Sequence, residues 1–283
     1  MLTRVITEYI IKAKRMGKVI CVANQKGGVG KTTTVVNLSA SLAAAQKKTI
    51  IIDIDPQGNA TSGLGIDKET IEKSIYHALI GEADIKETIL EVYSKDLGSY
   101  LWVAPSNPDL TGAEIELLDF ERREWKLKEA IQSLIDENDF ILIDCPPSLS
   151  ILTVNALTAA HSVLVPVQCE YYAMEGLGQL KRTLGLIKEG LNPDLEIEGY
   201  LLTLFDSRNR LCHIVADEVR DFFKGEVFET IIPRNVRLAE SPSHGQPVLL
   251  YDAKSIGAMS YISLAQEIIL RNGGQEVEES NLG

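Results

Sequence analysis

The segment KGGVGKTT, residues 26–33, decides the fold of this 283-residue chain. It follows the apolar run VICVA at 19–23, a predicted strand, and opens a stretch of helical pattern over residues 31–45. Glycines between a strand and a helix let successive backbone N–H groups point at phosphate oxygens, and the helix N-terminus adds partial positive charge. The sequence therefore predicts a phosphate-binding loop formed by Lys26, Gly27, Gly28, Val29, Gly30, Lys31, Thr32 and Thr33.

The side chains of this loop have separate expected roles. Lys31 is expected to reach the β- and γ-phosphates, the Thr32 hydroxyl to ligate Mg²⁺, and Thr33 to hydrogen-bond the α-phosphate. The standard pattern G-x-x-x-x-G-K-[ST] requires glycine at position 25, which is Gln25 here, and an extra lysine, Lys26, opens the loop instead. Because two lysines carry more positive charge than one nucleotide requires, Lys26 is expected to reach phosphates of another subunit.

Carboxylates stand at the ends of two further apolar runs. Asp53 and Asp55 end the run at 49–54, and Asp144 ends the run at 140–144. A carboxylate in the place of Asp55 can orient or activate the water that attacks the γ-phosphate. The alternative is that the acids only cap the following turn, which suits Asp53 better than Asp55. Asp144 has the Walker B arrangement, in which the carboxylate holds Mg²⁺ directly or through water.

Strand and helix patterns alternate along the chain. This alternation predicts an α/β fold with a doubly wound, mostly parallel sheet flanked by helices, and the phosphate loop after its first strand is the arrangement of a P-loop NTPase. The Val- and Ile-rich runs that predict strands are 19–23, 49–54, 100–103, 140–144, 162–167, 197–204 and 227–232. The predicted helices are 31–45, one opening at Asn107-Pro108 and continuing toward Glu137, 174–189, 209–224 and 256–271.

Composition limits the possible functions. The chain is 45% hydrophobic and its formal net charge is −12, which excludes a disordered chain and argues against a nucleic-acid coat protein. Four scattered cysteines without a C-x-x-C pair indicate a reduced, cytoplasmic protein. We expect a basic amphipathic extension at 1–15, one ATPase domain at 16–272 and an acidic disordered tail at 273–283. The extension can also be a packed helix, a frayed end, or untranslated if Met16 is the start.

These motifs together resemble the deviant Walker A ATPases, and most closely the ParA/Soj family of chromosome- and plasmid-partitioning ATPases. The resemblance covers residues 16–270, almost the whole chain. Its motifs are the segments 24–34, 53–63, 144–148, 232–238 and 241–245. The segment 233–245 is the most specific to the partitioning branch, because the other loops are shared with wider relatives.

The resemblance implies a mechanism with ATP and Mg²⁺ as cofactors. Lys26, Lys31 and Asp55 are the implied catalytic residues: Lys26 crosses the dimer interface to the partner's nucleotide and Asp55 positions the hydrolytic water. Thr32 and Asp144 support Mg²⁺. ATP then joins two protomers into a homodimer that hydrolysis releases. The residues implied to line the adenine are Pro233, Arg234 and Asn235.

The resemblance also implies DNA binding without sequence preference by the ATP dimer. Arg208 and Arg237 look like the family's DNA-contacting arginines, and Arg234, Arg210 and Lys254 would extend the patch. The alternative is that these arginines only make surface salt bridges. The implied partner is a ParB-type centromere-binding protein whose basic N-terminal peptide stimulates hydrolysis, and the implied location is the nucleoid-associated cytoplasm.

Three rival functions stay open at this stage. A MinD-type positioner needs a C-terminal amphipathic membrane helix, and the polar, acidic end at 273–283 argues against one. An iron protein of the nitrogenase reductase type needs cysteines placed at a dimer axis. A scaffold similar to ParA would position another cargo without turnover, which the intact Lys31, Asp55 and Asp144 oppose.

Overall fold

The computed structural model of the chain describes residues 17–273, so the predicted extension at 1–15 and residues 274–283 of the predicted tail lie outside it. One seven-stranded sheet forms the centre, in the order β3-β4-β2-β5-β1-β6-β7. All neighbouring strands pair in parallel except β3, which pairs antiparallel with β4. The strands are β1 (Lys18–Val22), β2 (Thr49–Asp53), β3 (Leu90–Glu91), β4 (Leu101–Ala104), β5 (Phe140–Asp144), β6 (Ser162–Gln168) and β7 (Glu196–Thr203).

Helices cover both faces of this sheet, because the central strands are apolar on both sides. In β2, Ile50 and Ile52 pack into the core on one face and Ile51 into the core on the other, as the two-residue period of a strand requires. The doubly wound α/β prediction is confirmed. The helices are α1 (Lys31–Ala44), α2 (Asn59–Gly63), α3 (Ile75–Ile80), α4 (Ile85–Thr88), α5 (Ser94–Leu97), α6 (Leu110–Glu116), α7 (Lys126–Ile135), α8 (Ile151–Ala159), α9 (Ala173–Gly190), α10 (Arg210–Phe222), α11 (Val236–Glu240), α12 (Val248–Tyr251) and α13 (Ile256–Arg271).

The predicted strand at 227–232 is wrong. This segment runs beside β7, and Phe228 and Ile232 donate backbone hydrogen bonds to carbonyls of that strand. Between those two bonds, the amides of Glu229 and Thr230 donate to the Glu267 carboxylate on α13, so no continuous ladder forms. The two-residue strand β3 was not predicted, because it is too short to show an alternation of apolar and polar residues.

The single long helix predicted from Asn107 toward Glu137 is also wrong. The segment divides into α6, two 3₁₀ turns and α7, and Arg122 between them has a left-handed backbone with φ 54°. The buried Asn155 on α8 fixes this break. Its amide donates to the Arg123 carbonyl and its oxygen accepts the Leu127 N–H, so a distant side chain starts α7. The other long helices match the predictions within two residues.

Strand register brings the acidic residues together. In the parallel pairings Asp144 lies opposite Val22 of β1 on one side and opposite Asp53 of β2 on the other. The loop that follows β1 therefore leaves the same sheet edge as both carboxylates. This is the carboxyl edge, where open α/β sheets bind ligands.

Candidate functional site

The loop between β1 and α1 has a backbone that needs glycine. Gly28 and Gly30 have φ 73° and 89°, in the left-handed region that a side chain would strain. Between them lies the buried Val29, whose carbonyl accepts a 2.8 Å hydrogen bond from the Thr203 hydroxyl on the edge strand β7. The loop is thus anchored before any ligand arrives.

The two lysines of the loop have different environments. Lys31 is only 7% exposed, and its Nζ donates to the Lys26 carbonyl at 3.2 Å. Burial lowers the pKa of Lys31, while the carboxylates of Asp144 and Asp55 oppose that fall. A buried ammonium with donors to spare is suited to an anionic oxygen. The Lys26 side chain lies further out and forms an ion pair with Glu170 at 2.8 Å.

The two carboxylates that follow β2 are bonded differently. Asp53 is fully buried, and one of its oxygens accepts both the Thr61 amide and the Thr61 hydroxyl, at 2.8 and 2.7 Å. Burial raises the pKa of Asp53 to about 6, against the effect of these bonds. Asp53 therefore caps the following turn. Asp55 is 6% exposed and accepts the Gln57 amide at 2.9 Å through one oxygen, so its other oxygen has no partner among residues 17–273.

Asp144 is the least satisfied side chain of the site. Both of its carboxylate oxygens are buried, and neither forms a hydrogen bond of good geometry within the described chain, although the Thr32 hydroxyl lies close enough to act on its pKa. Burial raises its pKa well above the usual range and the charges of Asp53 and Asp55 add to this, whereas Thr32 and Lys31 oppose it. A buried carboxylate without a partner costs free energy, and a cation at this point removes the cost. Carboxylate and hydroxyl oxygens are ligands that Mg²⁺ prefers, so Asp144 and Thr32 fit that ion.

A cavity of about 210 Å³ opens on the α11 side of the loop. Arg234 and Asn235 border it together with Gly30 and Thr33, so the structure places two of the three predicted adenine residues beside the loop. Pro233 is not part of the lining and pairs with Phe205 instead. Sequence reasoning missed several residues of the wall, which no local pattern marks: Thr203, Leu204, Ile232, Leu238, Ala239 and Tyr261.

The predicted DNA arginines lie on the surface. Arg208 forms two 3.0 Å bonds to Asp206, whose pKa these bonds lower to about 2. Arg237 pairs with Glu240 at 2.9 Å and with Asp252 at 3.2 Å. The salt-bridge alternative therefore describes both arginines in this structure. Across the described part of the chain, the exposed Arg210, Arg234 and Lys254 have no ion pair.

Apolar side chains are exposed directly after Glu170 and in the segment that follows β5. Tyr171 and Tyr172 are 75% and 67% exposed, and Leu149 after β5 is 50% exposed. Exposed apolar side chains near a charged site are typical of a protein interface. All four cysteines are free and buried, in agreement with the sequence prediction. No helix between residues 17 and 273 has both the length and the apolar character to cross a membrane.

Comparison with known proteins identifies the family. The AAA_31 family model, described as an AAA domain, matches residues 17–197. The chain is 55% identical to the chromosome partitioning protein ParA of Myxococcus xanthus, over 91% of this chain and 89% of that protein. It is 53% identical to the sporulation initiation inhibitor protein Soj of Bacillus subtilis, over 89% and 98%. A crystal structure of cobyrinic acid a,c-diamide synthase from Mycobacterium smegmatis with bound ATP analogue and magnesium is 38% identical with TM-score 0.79, covering 92% and 97%. The chain therefore belongs to the ParA/Soj family of chromosome-partitioning ATPases.

Proposed function

We propose that this chain is an ATP-driven DNA-partitioning switch. ATP joins two protomers into a dimer that binds DNA without sequence preference, and hydrolysis, stimulated by a ParB-type partner, separates them. The observation that carries this proposal is the unpaired, buried Asp144 beside a lysine-bearing glycine loop. A site of this kind holds a charged ligand and a cation together.

ATP and Mg²⁺ are the cofactors. A solved relative holds an ATP analogue with magnesium, and the residues of this chain fit both. The backbone amides at 26–33 and the ammonium of Lys31 bind the phosphates, and the cavity beside Arg234 and Asn235 takes the base. Thr32 and Asp144 hold Mg²⁺, which neutralises charge on the phosphates when bound.

Hydrolysis needs a group that orients water, and Asp55 is suited to this role. Its carboxylate is almost buried and keeps one oxygen unpaired at the same sheet edge as the loop. Asp53 has the opposite character, because its contacts to Thr61 fix the turn. Of the two acids, Asp55 alone is therefore assigned to catalysis, with Lys31 and Lys26 stabilising charge on the phosphates.

Dimer formation is supported by the position of Lys26 and by exposed apolar side chains after β5 and after Glu170. The amine is at the rim of the site, and Tyr171, Tyr172 and Leu149 offer apolar surface that a second protomer covers. Two nucleotides then lie between the protomers, and each protomer contributes a lysine to its neighbour's phosphates. ATP shifts the equilibrium toward the dimer because it binds the paired state more tightly than the single protomer.

The dimer is tested with the Asp55→Ala variant, in which hydrolysis is removed. With saturating Mg·ATP, light scattering is expected to show a stable dimer of this variant. Adding Lys26→Ala is expected to abolish the dimer while nucleotide still binds, whereas Lys31→Ala abolishes nucleotide binding itself. A single protomer at saturating Mg·ATP in the Asp55→Ala protein contradicts the proposal.

DNA binding rests on the arginine surface around α11. Arg234 is exposed and forms no ion pair with residues 17–273, while Arg237 must exchange its carboxylates for DNA phosphates. Each phosphate that these arginines neutralise releases counterions and the dimer doubles the contacts, so binding is salt-dependent despite the net charge of −12. In the Asp55→Ala dimer, Arg237→Glu is expected to abolish gel shifts of nonspecific DNA without changing dimer formation. Arg122→Glu, between α6 and α7, is the charge-matched control, and equal DNA binding by both variants rejects the surface.

A ParB-type protein is the proposed partner, and the nucleoid-associated cytoplasm the proposed location. The net charge of −12 suits a basic peptide as the stimulating ligand. A synthetic basic N-terminal peptide of the cognate ParB-type protein is expected to accelerate ATP hydrolysis in the presence of DNA. A peptide of the same composition in scrambled order is the control, and equal stimulation by both peptides argues against a specific partner.

A further inference from the structure

The loop lysine Lys26 is held within its own protomer. Its Nζ lies 2.8 Å from Glu170 Oε2, in an ion pair whose side chains are 35% and 50% exposed. The other oxygen of Glu170 accepts a hydrogen bond from the Gln168 side-chain amide. Glu170 is therefore held at both oxygens, one of them by the lysine itself.

The backbone around Glu170 fixes the direction of its carboxylate. Glu170 lies just beyond β6, which ends at Gln168; its amide donates to the Gln168 carbonyl at 2.8 Å and its carbonyl accepts the Ala173 amide at 2.9 Å. The loop is tied to the same segments, because Asn24 donates to the Pro166 carbonyl at 2.8 Å. Since β6 and the loop are joined in this way, the carboxylate stays within reach of Lys26.

We propose that Glu170 is a positioning residue that retains Lys26 in the single protomer and competes with the nucleotide of the partner. This inference rests on the proposed function, in which Lys26 reaches the partner's phosphates. Lys26 must leave the Glu170 of its own protomer to extend across the interface to those phosphates, so the ion pair breaks in each protomer when the dimer forms. Glu170 thus opposes pairing until a partner with bound triphosphate offers Lys26 a more strongly charged ligand.

The size of the effect follows from the exposure of the pair. An exposed ion pair changes an equilibrium constant by about 1.4-fold to about 5-fold. Two such pairs break in each symmetric dimer, so the factors multiply to about 2-fold to about 30-fold. Removing the carboxylate is therefore expected to tighten the dimer by a factor in this range.

The experiment uses Glu170→Gln in the Asp55→Ala protein. Glutamine keeps the shape and still accepts a bond from Gln168, but it has no charge to hold Lys26. Glu175→Gln, an exposed α9 residue without an ion pair among residues 17–273, removes the same charge nearby. Sedimentation velocity with saturating Mg·ATP is expected to give a dimer dissociation constant about 2-fold to about 30-fold lower for Glu170→Gln and unchanged for Glu175→Gln.

A second readout measures Lys26 directly in the nucleotide-free protein. Acetylation by an amine-reactive ester, followed by mass spectrometry, is expected to modify Lys26 faster in Glu170→Gln than in the parent. The exposed Lys95 serves as the internal reference. Unchanged acetylation of Lys26, or a dimer that is equally tight or weaker in Glu170→Gln, overturns the inference. If the Asp55→Ala parent itself fails to dimerise, the proposed function fails instead.

Discussion

The bond from the Thr203 hydroxyl to the Val29 carbonyl makes a quantitative prediction about the loop. Thr203→Val replaces a hydroxyl with a methyl group of similar shape. Both Thr203 and Val29 are buried, at 2% and 1% exposure, so water cannot easily replace the lost donor. The substitution therefore leaves a buried carbonyl without a partner.

Leaving a buried acceptor unsatisfied costs about 1–3 kcal/mol. For a chain of this size that corresponds to a fall in Tm of roughly 2–12 °C, at about 2–4 °C for each kcal/mol. In the wild type this bond fixes the loop before nucleotide binds. Without it, the loop also adopts conformations in which its backbone amides do not point at the phosphates. Affinity for Mg·ATP is expected to fall severalfold, and by no more than about 150-fold, the factor equivalent to 3 kcal/mol.

Thermal unfolding without nucleotide and titration with a fluorescent ATP analogue measure the two effects. Thr158→Val is the matched control, because the Thr158 hydroxyl donates at 2.8 Å to the Val154 carbonyl, which also accepts a backbone amide within α8. That variant is expected to lose less than about 1 kcal/mol and to bind nucleotide normally. A Thr203→Val protein with the Tm and affinity of the wild type refutes the reasoning.

Three further perturbations test other parts of the molecule. Asp144→Asn relieves repulsion in a buried acidic cluster, so we expect its Tm without nucleotide to be higher than that of the wild type. Adding Mg·ATP is expected to raise its Tm by less than it raises the Tm of the wild type. A larger rise than in the wild type would contradict the Mg²⁺ assignment. Gly257→Ala places a methyl group 2.7 Å from Leu238, which lies in the wall of the cavity. This variant is expected to bind nucleotide more weakly and to lose about 1–3 kcal/mol of unfolding free energy. Gly185→Ala is the control and is not expected to be destabilising, because the space around Gly185 is open. Burial lowers the pKa of His161, whose Nδ1 accepts a β1 amide, so the unfolded chain binds a proton more readily than the folded one below about pH 6.5. The free energy of unfolding is therefore expected to fall with decreasing pH in the wild type and less steeply in His161→Asn. If urea unfolding from pH 7.5 to 5.5 gives the same pH dependence of this free energy in both proteins, the prediction is contradicted.

Local sequence was enough to predict the glycine-rich loop between strand and helix and a doubly wound, mostly parallel sheet. Gly28 and Gly30 adopt backbone angles that other residues avoid, and strand periods reflect burial within a few neighbouring residues. Asp144 was predicted in the same way, because the strand before it is continuously apolar. These features depend on steric and solvation effects that act within one short segment.

Only the tertiary structure decided which distant side chains complete the site. Thr203 and Val29 are 174 residues apart in sequence, and the ion pair of Lys26 with Glu170 spans 144 residues. The prediction of one helix over 107–137 was wrong for the same reason, because Asn155 on α8 determines where α7 begins. Hydrogen bonds and ion pairs of this range depend on how elements pack against each other, and packing leaves no periodic pattern in the sequence. The sequence by itself thus determined the residue types and the backbone conformation of the loop, and the fold determined which residues anchor it and hold its lysine.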